Sequence, residues 1–333
     1  MRLALLGFGN VGRAFAKLLV GRGQLPFKVT AVLTARHGWW VDANGIDLRR
    51  ALQLERLPSL GPPPAIAQLP ADVLVELTTL DPRTGQPAFD HMIEALRSRK
   101  HVVTANKGPI ALHYDELRKA AWIARREIRF EATLSDCLPV FNLRRAALPL
   151  TEIRAIRGIV SSTTNHILSA AARGVAFADA LAEAQRMVIA EADPSNDLEG
   201  WDAAVKATIL ANLLMDAEIT PDDVHRQAID DAAAAEAARV ARDGGRLRPL
   251  ITIERRPARA HAHHLDPTEV RASFGPQRLD PLDPLYAVDG LSMALELDTD
   301  LAGRIVVQLH DPHVEQVAYA VLTDLLDIAG WDG

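Results

Sequence analysis

Short apolar runs and amphipathic stretches alternate along the first 135 residues. Residues 3–6 are an apolar run, and 11–20 place Val11, Phe15, Leu18 and Leu19 on one helix face. Residues 29–33, 72–77, 101–105 and 128–133 read as further strands, with helices over 87–98 and 110–125. Pro58, Gly61, Pro62, Pro63 and Pro64 mark a loop between the second and third strands. Strands spaced by helices imply right-handed crossovers and a mainly parallel sheet covered on both faces. The texture changes after Leu138. A strand over 152–160 leads into a polar cluster, and alanine-rich helices follow over 176–190, 199–215 and 228–242. Residues 255–264 are polar and show no period; 292–297 and 305–309 read as strands, and 314–328 as a last helix.

The turn after the first strand reads Gly7-Phe8-Gly9-Asn10-Val11-Gly12, a G-x-G-x-x-G between a strand and a helix. The first glycine permits a tight turn, the second lets a pyrophosphate approach the backbone, and the third lets helix and strand pack closely. The helix N-terminus then offers free N–H groups and the positive end of its dipole. This points to a dinucleotide held at Gly7, Gly9, Asn10, Val11 and Gly12. Thr78, after the third strand on the same sheet edge, either touches the cofactor or simply closes the strand. The second strand ends at Leu33-Thr34-Ala35-Arg36-His37, without the acid that NAD enzymes place there for the ribose. Arg36 either pairs with a 2′-phosphate, which leans toward NADP with NAD still open, or is a solvated loop charge.

Composition narrows the classes. The 333 residues carry 37 basic and 43 acidic side chains, a net charge of −6, which argues against a nucleic-acid binder held by a general positive field. A hydrophobic share of 48% with 24% charged residues argues against disorder. The single cysteine excludes an internal disulfide framework and a zinc site built from several thiolates. No run approaches the ~18 apolar residues of a membrane span. The glycine turn interrupts the apolar N-terminus before it can act as a secretory signal, so the cytoplasm is the expected location.

Six of the 37 basic residues are lysine: Lys17, Lys28, Lys100, Lys107, Lys119 and Lys206. A lysine can lose a proton when desolvated, whereas arginine effectively cannot. Lys107 follows a strand end in Thr104-Ala105-Asn106-Lys107-Gly108-Pro109, where ligands of such sheets bind. Lys206 follows Asp202 at i+4, on one helix face; on composition alone the pair reads as a surface ion pair worth little.

Four segments are more specific together. They are residues 104–109; the run from Glu191 to Lys206, E-A-D-P-S-N-D-L-E-G-W-D-A-A-V-K; the run from Gly158 to Leu168, G-I-V-S-S-T-T-N-H-I-L; and Glu131-Ala132-Thr133 followed by Pro139. Together they resemble the homoserine dehydrogenase family, closely over residues 1–225 and loosely beyond. The resemblance implies a Rossmann-type, doubly wound sheet over 1–135, completed by 306–333. An α+β catalytic and dimerisation domain over 136–305 would follow, in a homodimer formed through that domain's sheet. It implies NAD(P)-linked interconversion of aspartate 4-semialdehyde and L-homoserine, a small zwitterionic substrate on the way to threonine and methionine. Lys206 would then be the proton-transfer group, Asp202 its orienting partner, and Lys107 a neighbour of the reacting oxygen and the cofactor. Glu191 and Asp197 would hold the substrate ammonium, and Ser162 and Thr163 would help fix the substrate. Glu131 stands between a monovalent-cation site and a strand-end carboxylate bonded locally.

The chain departs from the family pattern in its glycines. Val188-Ile189 stand where the family has Gly-Tyr or Gly-Phe, and Ser162 replaces a turn glycine. His166 replaces a tyrosine, Ser135-Asp136-Cys137 replace glycines, and 308–313 lack a G-x-G-A-G turn. These changes leave room for a related amino aldehyde or alcohol as substrate, or for a non-catalytic dinucleotide-binding paralogue. A cysteine-based semialdehyde dehydrogenase would use Cys137 but leaves Lys107 and the 191–206 motif idle. His310 and His313 around Asp311, and the cluster His261, His263 and His264, are weak metal readings beside solvated loops. The chain ends where many family members continue into an ACT-type regulatory domain, so feedback through such a domain is not expected.

Overall fold

The computed structural model describes residues 1–187, 189–256 and 269–331. They divide into two compact units, Met1–Cys137 with His313–Gly333, and Leu138–Pro312.

The first unit contains β1 (Arg2–Leu6), α1 (Asn10–Gly21), β2 (Lys28–Leu33), β3 (Trp39–Val41), α2 (Leu48–Gln53), β4 (Val73–Glu76), α3 (Ala88–Arg97), β5 (His101–Thr104), α4 (Lys107–Ala124) and β6 (Ile128–Arg129). The sheet order is β3-β2-β1-β4-β5-β6. All pairings are parallel except β2 with β3. The order reverses between β1 and β4, the place where dinucleotides bind in such sheets. The strands are buried on both faces, as in the successive residues Leu3, Ala4 and Leu5 of β1 and Val73, Leu74 and Val75 of β4, so they read as continuous apolar runs. The last helix of the chain packs on α1, and its Val321 and Leu325 share a core with Phe15 and Val32.

The second unit contains α5 (Val140–Ala147), β7 (Ile153–Ile159), α6 (Ser162–Ala172), α7 (Phe177–Arg186), α8 (Ser195–Leu198), α9 (Trp201–Leu214), β8 (His225–Arg226), α10 (Asp231–Arg242), β9 (Arg246–Arg256), β10 (Glu269–Leu279), β11 (Met293–Thr299) and β12 (Arg304–Leu309); α11 (Val314–Ala329) is the helix that returns to the first unit. Its sheet order is β12-β11-β7-β9-β10-β8, antiparallel except between β10 and β8.

Several elements differ from the sequence reading. The strand expected over 128–133 stops at Arg129 and turns into a single helical turn at Glu131–Thr133. There the Glu131 N–H is taken by Asp324 Oδ2 of α11 at 2.9 Å instead of by a neighbouring strand. The polar cluster after β7 is the helix α6, buried from Thr163 to Ala171. Its polar groups find partners inside. Asn165 donates to the carbonyls of Val288 and Ser292 at 3.4 and 3.0 Å, and Ser169 accepts from Arg248 at 2.7 Å. The long hairpin of β9 and β10 has no counterpart in the expected elements. It tolerates Pro249 opposite Pro276, because β7 pairs with β9 only over Ile251–Glu254 and β8 with β10 only at Ser273 and Phe274. At the prolines neither strand has an outer neighbour to bond.

Candidate active site

In the first unit the glycine turn joins the carboxyl end of β1 to α1. Gly7 has φ +97°, and a side chain there would run into the Leu77 carbonyl. A Cβ at Gly12 would stand 2.7 Å from the Gly7 carbonyl oxygen, so helix and turn are packed as closely as glycine allows. Gly9 is different: a Cβ there would meet nothing within 4 Å. The protein leaves space beside the one glycine whose role is to let a phosphate approach. The donors fit as well, since Gly9 caps α1 and the first-turn amides of Asn10, Val11 and Gly12 have no intrahelical acceptor. The turn therefore fits a dinucleotide pyrophosphate.

Arg36 is exposed in the tight turn between β2 and β3. Thr34 builds that turn: its hydroxyl donates to Gly38 O at 2.8 Å and accepts the His37 N–H at 2.8 Å. Thr78 follows the end of β4, and its hydroxyl donates to the Glu76 carboxylate. The Thr78 carbonyl accepts from Asn106 Nδ2 at 3.3 Å, and Asn106 Oδ1 caps α4 by accepting the Gly108 N–H at 3.3 Å. Lys107, half-buried, is the first residue of that helix, not part of a preceding loop. The structure thus ties Thr78 and Lys107 together through Asn106.

Glu131 is 2% exposed on its turn. The Phe130 carbonyl beside it already accepts from the Thr133 amide at 3.0 Å and the Thr133 hydroxyl at 2.7 Å. That carbonyl is engaged locally. Cys137 is partly buried, and burial first, then Asp136, raises its thiol above the ordinary range, the opposite of an activated nucleophile.

In the second unit Lys206 lies on α9 at 7% exposure. Its Nζ is 2.7 Å from Asp202 Oδ2 and donates to the Val160 carbonyl at 2.5 Å, just beyond the end of β7. The side chains of Lys206 and Asp202 are 9% and 18% exposed, so this is a buried pair and not the surface pair that composition alone suggests. An ammonium has three N–H donors, and Lys206 makes no third hydrogen bond among the described residues. Ser162 and Thr163 begin α6 two and three residues after Val160. Ser161 caps that helix, accepting the Thr164 N–H at 3.4 Å. The Thr163 hydroxyl donates to the Ile189 carbonyl at 3.0 Å, which anchors the segment leading to Glu191. Gln185 Nε2 donates to the Glu191 carbonyl at 3.2 Å. Glu191 is exposed on that loop, and Asp197 is half-buried on α8. Lys206, Asp202, Ser162 and Thr163 are thus gathered at the carboxyl end of β7.

The altered glycines have local explanations. Asp136 and Asp311 adopt φ +51° and +47°, the left-handed region that aspartate tolerates better than most residues. Ser162 is helical and needs no glycine. His166 is buried, with Nε2 3.4 Å from Glu183 Oε2. Val188 and the cluster His261, His263 and His264 lie outside the described residues. His310 contacts Ser292 at 3.4 Å and His313 pairs with Glu315 at 3.1 Å, and no group of three or more His, Cys, Asp or Glu suited to a metal occurs among the described residues. Among the described residues no helix is long and apolar enough to cross a membrane.

Sequence reasoning missed the Val160 and Ile189 carbonyls, which no side chain announces. It also missed Glu76, whose signal was an acid closing the apolar run of β4.

Comparison with known proteins identifies the family. A family model for homoserine dehydrogenase matches residues 139–326, and one for the homoserine dehydrogenase NAD binding domain matches 7–131. The chain is 34% identical to an NAD(+)-dependent homoserine dehydrogenase of Pseudomonas canavaninivorans, over 98% of this chain and 96% of that protein. It is 33% identical to the homoserine dehydrogenase of Methanocaldococcus jannaschii, over 98% of each. Among solved structures, homoserine dehydrogenase from Thermoplasma acidophilum superposes with a TM-score of 0.84 at 25% identity over 99% of both chains. A hyperthermophilic archaeal homoserine dehydrogenase in complex with NADPH gives 0.78 at 25% identity over 98% of this chain and 97% of that one. With both models matched and relatives similar along nearly its whole length, the chain belongs to the homoserine dehydrogenase family, NAD(P)-linked oxidoreductases that interconvert L-homoserine and aspartate 4-semialdehyde.

Proposed function

We propose that Lys206 is the group that moves the proton in this reaction. The observation that carries the proposal is the buried ammonium itself: two donors held by Asp202 and Val160 O, and a third left for a substrate oxygen. The dinucleotide supplies or takes up the hydride at the substrate carbon. When the aldehyde is reduced, its oxygen must gain a proton, and Lys206 Nζ gives it; in the reverse direction Nζ receives it. Asp202 orients the ammonium and balances its charge. Lys107 is a second cation for the oxygen as negative charge develops.

The substrate is a zwitterion, and the second unit offers both complements. Glu191 and Asp197 take its ammonium. The first amides of α6, at Ser162 and Thr163, suit its carboxylate, as helix N-termini do. On the cofactor side, Gly7, Gly9, Asn10, Val11 and Gly12 receive the pyrophosphate, Thr78 adjoins the bound dinucleotide, and Arg36 selects NADPH through its 2′-phosphate. The protein works as a homodimer through the second unit's sheet, in the cytoplasm. Ile251 and Ile253 of β9 are buried, whereas Thr252 and Glu254 line an open groove of about 620 Å³ with Ser273 and Gln277. This leaves one sheet face available, and light scattering would read the mass.

The test is product analysis. Aspartate 4-semialdehyde with NADPH yields homoserine in stoichiometric amount, and homoserine with NADP⁺ runs the reverse. Well-folded protein that binds NADPH and converts neither substrate would overturn the proposal.

A further inference from the structure

We propose that Glu76 is a positioning residue for this reaction, acting through Thr78 and Asn106 on the start of the helix that carries Lys107. Glu76 is the last residue of β4, in register with Leu6 of β1 and Thr104 of β5. That row lies where the strand order reverses, at the carboxyl ends of the strands. Its side chain is 0% exposed. Oε1 accepts the Thr78 hydroxyl and, at 3.4 Å, the Thr78 N–H. His91 Nδ1 of α3 stands 3.4 Å from the same oxygen. Oε2 has no hydrogen-bond partner among the described residues.

A carboxylate in that place is costly. Burial without full hydrogen bonding penalises it, and an apolar residue would close the strand without that cost. What the carboxylate fixes is the chain beyond it. Thr78 is held by side chain and amide at Oε1, and its carbonyl is then set to receive Asn106 Nδ2. Asn106 in turn caps α4 one residue before Lys107. A displacement at Glu76 would thereby be carried to both the cofactor-side threonine and the start of the helix that bears the lysine. This inference rests on the reading that Thr78 and Lys107 serve the bound dinucleotide and the reacting oxygen.

The experiment compares Glu76→Ala, Glu76→Gln, Thr78→Val and the double variant Glu76→Ala/Thr78→Val. Each is followed by kcat and KM for aspartate 4-semialdehyde, by NADPH affinity from protein fluorescence, and by thermal midpoint. Glu76→Ala should lower kcat about 10- to 100-fold, the scale of a small misplacement of reacting groups. Thr78→Val should do the same, and the double variant should be no slower than the slower single one, because both break one linkage. Glu76→Gln keeps an acceptor for Thr78 and should recover at least half of the lost rate on a logarithmic scale. A Glu76→Ala protein with lowered thermal midpoint but unchanged kcat and NADPH affinity would overturn the inference, as would additive losses in the double variant. If Glu76→Ala does not fold, Glu76→Gln against Thr78→Val decides: equal losses overturn it and a smaller loss for glutamine supports it. Wild-type protein that fails to turn over would sink the proposed function, while the coupling of Glu76 and Thr78 would still be read from NADPH affinity.

Discussion

Replacing Asp202 by asparagine separates the structural from the chemical role of the buried pair. The Asp202→Asn change keeps an amide oxygen as an acceptor for Nζ but leaves the Lys206 ammonium, at 7% exposure, without the negative charge beside it. Breaking a buried pair costs roughly 3–5 kcal/mol. Asp202 keeps 18% of its side chain in solvent, so the low end, about 3 kcal/mol, is expected. For a domain of this size that lowers the thermal midpoint by roughly 6–12 °C. The Lys206→Met change should cost a similar amount, because it removes the ammonium 2.7 Å from the Asp202 carboxylate. The double variant removes both charges and should return to within about 1 kcal/mol of wild type. Activity should not return with stability, since the proton donor is gone. The assay is thermal unfolding of all four proteins beside NADPH oxidation at saturating substrate. A double variant as unstable as the sum of the singles would refute the pairing argument. A double variant with wild-type turnover would refute the chemical one.

Three further outcomes are expected. Gly9→Ala should change stability by less than about 0.5 kcal/mol, because its Cβ meets nothing, yet weaken NADPH binding at least tenfold; Gly7→Ala should fold poorly, since φ +97° and the Leu77 carbonyl both oppose a side chain. Calorimetry and NADPH titration distinguish the two. Arg36→Ala should raise KM for NADPH about tenfold and leave KM for NADH unchanged, as steady-state rates with each cofactor would show. Burial, then Arg126, lowers the pKa of His101 below its ordinary 6.5, and its Nδ1 accepts the Glu127 N–H at 3.1 Å, so the neutral ring is the folded form. The unfolded chain therefore binds the extra proton first, and stability is full above pH 6.5 and falls as the pH drops toward the folded pKa. Urea midpoints between pH 7.5 and 5.5 should show that slope, and His101→Gln should flatten it.

The first unit was legible in the sequence because a parallel sheet buried on both faces writes its strands as unbroken apolar runs, as at Leu3–Leu6 and Val73–Val75. The glycine turn announced itself by spacing. β3 was hidden: Trp39-Trp40-Val41 is three residues long and follows a turn built by the Thr34 hydroxyl. The second unit was harder for two physical reasons. α6 is buried all round, so it carries no amphipathic stripe, and its Thr164, Asn165 and Ser169 resemble a loop until their distant partners are known. β9 and β10 alternate arginine with apolar residues and contain prolines, which read as breakers when the missing outer neighbours cannot be seen. Among the site residues, Lys206 and Asp202 were placed by the family resemblance of the 191–206 motif, their i, i+4 spacing reading only as a surface ion pair; their burial was invisible because Val160, which receives the ammonium, is 46 residues away in sequence. Glu76 was passed over for the opposite reason, being read as part of a strand when it is the polar end of one.

The most direct test of the account is the rate of hydride transfer in Lys206→Ala against wild type, followed by stopped-flow absorbance with saturating NADPH and aspartate 4-semialdehyde. NADPH affinity is measured on the same samples. The account predicts a loss of at least about 100-fold in rate, the ordinary contribution of a positioned proton donor, with NADPH affinity unchanged. A Lys206→Ala protein that transfers hydride within a few-fold of the wild-type rate would contradict it.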